Sequence, residues 1–131
     1  LGFRMSNVQE VRKALAEVAP QGLNSYSSTP GSAELPAMVV GLPESWDPSG
    51  TLKHKLVTFP VYVAVNGDVG NDYEAQLFDL TDRVIAALKA ASKGPLYQGL
   101  SIETVREFGL MNIGNGEVLA STIIINVYIL N

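Results

Sequence analysis

Few side chains in this sequence have the type and company that chemistry requires. The stretch ESWDPSGTLKHK, residues 44–55, holds the single tryptophan, Trp46, and the single histidine, His54, on either side of an Asp47-Pro48-Ser49-Gly50 turn. Further on come a run of oxygen donors, NGDVGNDYE at 66–74, and two carboxylates, Asp79 and Asp82. An imidazole acting as a base needs a nucleophile and an orienting acid, and one acting as a metal ligand needs further His or Cys. There is no second His and no Cys, so His54 reads as a solvent-facing strand residue. Asp79 and Asp82 lie on the polar side of a helical repeat, with Arg83 one turn beyond Asp79, which is the spacing of a surface ion pair.

The oxygen run fails as a calcium loop. Counted from Asn66, the turn position that must be Gly is Asn71 and the bidentate Glu position is Leu77; counted from Asp68, they are Tyr73 and Asp79. GNGE at 114–117 links two strands instead of opening a helix, so it makes no phosphate cradle. No catalytic, cofactor-binding or metal-ligating residue is assigned, and the chain reads as a non-enzyme without a cofactor.

Composition points elsewhere. A chain of 131 residues suits one domain that buries roughly 65–70% of its extended surface without staples. Residues 1–131 are read as a single α+β domain, with 1–5 as a poorly ordered leader, because position 1 is not Met and Met5 is. Hydrophobic residues make up 47% and charged ones only 17%, against about a quarter in ordinary soluble domains, so some apolar surface is expected to meet a partner. The net charge of −4 opposes neutralisation of a phosphate backbone. The longest apolar run, TIIINVYIL at 122–130, is about half of the ~20 residues that a membrane helix needs and is rich in β-branched types. It reads as a strand, and no membrane partner is expected.

The elements that would position these residues follow from periodicity. Ser6 and Gln9 form a capping box ahead of Val8, Val11, Leu15 and Val18, which predicts a helix over 6–19. NSYSSTPGSAE reads as an exposed connector. LPAMVVGLPESW and TLKHKLVTFPVYVAV form a hairpin, with Val57, Phe59, Val61, Val63 and Val65 on one face of its second arm. As one strand, 51–66 would stretch to roughly 50 Å, whereas a domain of this length is under ~40 Å across. Either it bends at Pro60, or the turn end overhangs as an arm. Trp46 accordingly either folds back on the local core or anchors a neighbouring chain.

A second helix is predicted over 71–92, its buried stripe Tyr73, Leu77, Leu80, Val84, Leu88 and Ala91 widened by Phe78 and Ile85. A closing strand pair is split by NIGNGE, and its last strand is apolar on both faces, which makes it central. Two helices can share one face of that sheet and leave the other for an assembly contact. The expected fold is α+β: a central, mostly antiparallel sheet with two helices packed on one face and a long projecting β-hairpin.

The segment order now carries a resemblance. A short helix with VRKALAEV, then LPAMVV, a turn containing Trp, the strand FPVYVAV, the helix NDYEAQLFDLTDRVIAAL and a strand pair ending STIIINVYIL resembles, over residues 5–131, the tail terminator and neck-associated minor tail proteins of long-tailed bacteriophages. The resemblance implies a virion structural protein in the tail-neck region, assembled in the host cytoplasm. It would form a homohexameric ring that caps the tail tube, stops its polymerisation and offers the other surface to head-completion or neck proteins, with DNA passing through the lumen. Leu42, Trp46 and Leu52 make a donor patch for the next subunit, while the acceptor patch is unassigned. Lys53 and Lys55 at the same end face acidic tube subunits, the passing DNA or plain solvent. Two alternatives stand beside the terminator: another neck or tail component, such as a head-completion or tube protein, and a small cytoplasmic enzyme or ligand-binding domain.

Overall fold

The computed structural model describes residues 7–48, 54–67 and 71–130. Its frame is a pair of long antiparallel strands, β4 (His54–Asn66) and β6 (Gly116–Leu130), in unbroken register from His54 opposite Leu130 to Asn66 opposite Val118. Alternation sends their odd-numbered apolar residues to one side: Val57, Phe59, Val61, Val63 and Val65 of β4, with Ile123, Ile125, Val127 and Ile129 of β6. Both helices cover that side. From α1 (Asn7–Ala16) come Val8, Val11 and Leu15, and from α2 (Asn71–Ala90) come Leu77, Leu80, Val84 and Leu88.

Polar contacts also sit in that layer, among them the bond that Arg12 Nε donates to the Val40 carbonyl at 2.8 Å. Thr81 Oγ1 donates to the Leu77 carbonyl at 2.7 Å and lies 2.7 Å from Ser121 Oγ. A hydroxyl has one proton, so Ser121 is the donor of the second bond and pins α2 to β6.

The outer edge of β4 is shared by two short strands. Residues of β2 (Ala37–Val40) oppose 61–64, and those of β3 (Ser45–Asp47) oppose 56–58. Between them the Pro60 carbonyl accepts from Gly41 N, and the Thr58 carbonyl accepts from Glu44 N, both at 2.8 Å. In a strand, the N–H and C=O of one residue point to the same side, so the donor that Pro60 lacks faces this split edge and not the β6 ladder. A bend at Pro60 is therefore unnecessary, and the pairing with β6 passes through it without a shift. Gly41 is required here, since a Cβ would lie 2.8 Å from both the Pro60 ring and the Tyr62 ring.

The sheet is mixed and six-stranded, ordered β1-β2-β4-β6-β5 with β3 on β4, because β1 (Asn24–Tyr26) runs parallel to β2. That strand lies inside the stretch expected to be a plain connector. Among the described residues the longest strand is β5 (Tyr97–Ile113), with 17 residues; the arm expected from Thr51 is described only from His54. Its register against β6 shifts three times, between Tyr97 and Gly99, Ile102 and Thr104, and Arg106 and Gly109. Each shift adds a residue to β5, which twists it and roughens its free edge. The helices stop at Ala16 and Ala90, short of the predicted ends. Residues 49–53, with Leu52 and Lys53, lie outside the described residues, and so does the projecting turn expected there.

The second face of the sheet departs from expectation. On β6 its residues Val118, Ala120, Thr122 and Ile124 are already buried. Segment 27–36 crosses one end of this face, tied down where Glu34 N donates to the Tyr26 hydroxyl and Asn115 N donates to the Gly31 carbonyl. Tyr26, Ala33 and Leu35 pack there on Val39, Ala64 and Ala120. The chain itself covers much of what was expected to be left for assembly.

Gly114 opens the two-residue β5–β6 turn with φ +60, the position where II′ turns favour glycine. A Cβ there would also run into the Pro30 and Gly31 carbonyls. Gly114→Ala is expected to lower stability by about 2–3 kcal/mol, read as a lower urea midpoint at unchanged slope.

Candidate functional site

Surface exposure picks out two apolar corners. At the β3 edge, Leu42 bulges out of the detour between β2 and β3 at 69% exposure, and Trp46 is 48% exposed. Trp46 lies opposite Val57, so it is on the helix-bearing side, and Lys55, two residues before Val57, shares that side. The Lys55 ammonium sits 5.0 Å from the centre of the Trp46 ring, a cation–π contact that holds the indole outward instead of folded into the core. The structure thus brings Trp46 and Lys55 together and leaves Leu42 exposed on the same edge; Leu52 and Lys53 lie outside the described residues.

At the other corner, Phe78 of α2 and Phe108 of β5 meet edge to face, ring centres 5.8 Å apart, and remain 56% and 50% exposed. Leu110, 57% exposed, follows on the same strand. These rings line a groove of about 150 Å³ with Glu74, Leu77, Gly109 and Leu119. Phe78 was expected to widen the buried stripe of α2; instead it reaches sideways to the ring that the third bulge of β5 turns toward it. Periodicity of the helix alone contains no sign of this, because the bulge that supplies the partner is a register event between two other strands.

The second face carries the polar groups. Arg106 of β5 donates to Glu44, at the start of β3, at 3.1 Å, a contact that reaches over β4 and β6 and is exposed enough to contribute little by itself. Beside it a cleft of about 290 Å³ is lined by Thr29, Val39, Tyr62, Glu107, Met111, Asn112 and Ile113. Burial first, then the negative charges of Glu44 and Glu107, push the Tyr62 phenol above its ordinary pKa, with Arg106 opposing. Glu107 has φ 58, a left-handed conformation at the third bulge. Thr58 Oγ1 donates to Asn126 Oδ1 at 2.7 Å.

His54 lines a separate cavity of about 250 Å³ with Gln98, Gly99 and Tyr128, and is half-buried instead of solvent-facing. No nucleophile or carboxylate is among those lining residues. Arg83 does not pair with Asp79; it donates to the Gln21 carbonyl at 3.1 Å and ties α2 to the connection after α1. Among the described residues, no three of His, Cys, Asp and Glu gather in a way that holds a metal, and no helix is long and apolar enough to cross a membrane. Compared with known proteins, the chain matches no family model and no curated sequence.

Two outcomes follow for the polar face. Thr122 Oγ1 is buried without a hydrogen-bond partner, so Thr122→Val is expected to raise stability by about 1 kcal/mol, seen as a higher urea midpoint. The raised Tyr62 pKa means that the folded state holds this proton more tightly than the unfolded one. Its contribution is complete below the unfolded value near ~10 and is lost as pH rises through the folded value. Alkaline denaturation should therefore be shallower in Tyr62→Phe than in the parent, though Tyr97, raised by burial, keeps part of the slope.

Proposed function

We propose that this chain is a tail terminator of a long-tailed bacteriophage, a virion structural subunit and not an enzyme. Copies form a homohexameric ring on the end of the tail tube, halt its polymerisation and present the head-joining surface to neck proteins. The observation that carries this reading is the exposure of two large apolar residues, Leu42 at 69% and Trp46 at 48%, along one split sheet edge. Large apolar residues exposed as a cluster mark a surface that meets another protein, and Trp is enriched among the side chains that dominate such contacts. The order of helix, short strands, long strand, helix and strand pair is the order on which the resemblance to tail terminators rests, and the α+β fold with two helices on one face accommodates it.

Lys55 supports the subunit contact over a DNA contact. Its ammonium is engaged with the Trp46 ring and reinforces an aromatic anchor, and the net charge of −4 works against general attraction to phosphates. The lumen can pass DNA without binding it.

Electron microscopy of particles assembled without this protein tests the role. Abnormally long tails are expected for a terminator. Tails of normal length beside unjoined heads would assign the chain to another neck component. In the purified protein, Trp46→Ala is expected to weaken self-association roughly tenfold while leaving the urea midpoint nearly unchanged; an unaltered association constant would remove Trp46 from the interface.

A further inference from the structure

The ring reading needs a second patch, and the opposite corner of the sheet has the properties it calls for. We infer that the groove between Phe78 and Phe108 is the acceptor surface for the Leu42–Trp46 edge of the next copy. This inference rests on the proposed self-assembly and adds the partner surface that it lacks.

Position is the first support. The strand order β1-β2-β4-β6-β5, with β3 on the outer edge of β4, puts Leu42 and Trp46 on one side of the sheet and Phe108 and Leu110 on the other. Trp46 and Phe108 both belong to the helix-bearing face, since Trp46 lies opposite Val57 and Phe108 contacts Phe78 of α2. They also sit at different heights: Val57 opposes Val127, whereas Gly109, next to Phe108, opposes Ala120. The patches therefore occupy diagonal corners. Where the donor of one copy docks head to tail on the acceptor of the next, each step leaves one donor and one acceptor free, and closure into a ring uses them all.

Chemistry is the second support. The acceptor groove is apolar, with Leu77, Leu119 and the two aromatic rings, and Glu74 is the one charged residue in its lining. The donor corner carries Lys55 against its own Trp46. A Trp delivered to the groove brings a cation alongside, and Glu74 is the carboxylate placed to receive it. Such complementarity selects register and partner more than it adds raw affinity. A copy of this chain is thus the occupant that both the apolar lining and the rim charge fit.

The free edge of β5 is not the attachment point. Its three register shifts interrupt the row of backbone donors and acceptors that strand addition would use. Recognition runs through side chains at the corner.

The test uses two blocked forms of the full chain followed by analytical ultracentrifugation. Leu42→Asp with Trp46→Ala blocks the donor and keeps the acceptor; Phe108→Asp blocks the acceptor and keeps the donor. Alone, each should sediment as a monomer under conditions where the parent assembles, and an equimolar mixture should give a one-to-one dimer and nothing larger. Glu74→Lys should weaken assembly roughly tenfold, with recovery when Lys55→Glu is added to the same chain. Phe108 and Glu74 are exposed, and circular dichroism checks that folding is retained; if Phe108→Asp fails that check, the Glu74→Lys and Lys55→Glu pair decides. A parent-like mass for both Phe108→Asp and Glu74→Lys, while the donor-blocked form is monomeric, overturns the acceptor assignment and leaves the ring standing. A parent chain that stays monomeric at every concentration overturns both.

Discussion

The antiparallel ladder between β4 and β6 is the constraint from which the rest of the molecule follows. Thirteen consecutive residues of β4, His54 to Asn66, are in register with β6, and a strict alternation over that length commits every odd position to the same side. Slipping the register by one residue would exchange Phe59, Val61 and Ile125 for Thr58, Tyr62 and Asn126 beneath the helices, so the pairing is specified by burial as well as by hydrogen bonds. Everything irregular is displaced to the two outer edges. Pro60 aims its missing donor at one of them, and the bulges of β5 occupy the other.

Displacing irregularity outward bears on the proposed assembly. At the β2–β3 split, the chain detours through Leu42 because Pro60 has no N–H to donate there, and Gly41 permits the close approach. At the β5 edge, the third bulge swings Phe108 toward Phe78. Both apolar corners thus arise where the ladder cannot be continued, which is why they are exposed and why they differ from each other. Unlike patches at opposed corners are what head-to-tail assembly requires, and the low charged fraction of 17% makes such assembly easier to reach.

Much of this was legible in the sequence. Period-two alternation over 57–65 and both-sided apolarity over 118–130 marked the two central strands, and the stripe from Leu77 to Leu88 marked the face of α2 that packs on them. For Trp46 the sequence left two readings open, folded on the local core or turned outward, and its 48% exposure depends on pairing that no local pattern shows. What escaped reading depended on pairing between distant segments. Asn24–Tyr26 is a strand through its pairing with β2, at whose start Asn24 N donates to the Pro36 carbonyl and Asn24 Nδ2 to the Glu34 and Pro36 carbonyls. The three shifts in β5 leave no mark in its own composition, so neither the outward turn of Phe78 nor the placement of Glu107 beside Tyr62 was visible. The second face looked available for the same reason: nothing local in 27–36 says that it folds across Val39 and Ala64.

Hydrogen exchange of the parent protein, followed by mass spectrometry at low and high concentration, addresses the central claim most directly. The account expects added protection on concentrating the sample to be confined to the segments around 41–47, 74–78 and 106–111, with β4 and β6 already slow and unchanged. Protection that does not depend on concentration, or that spreads over the polar second face instead of these two corners, would contradict it.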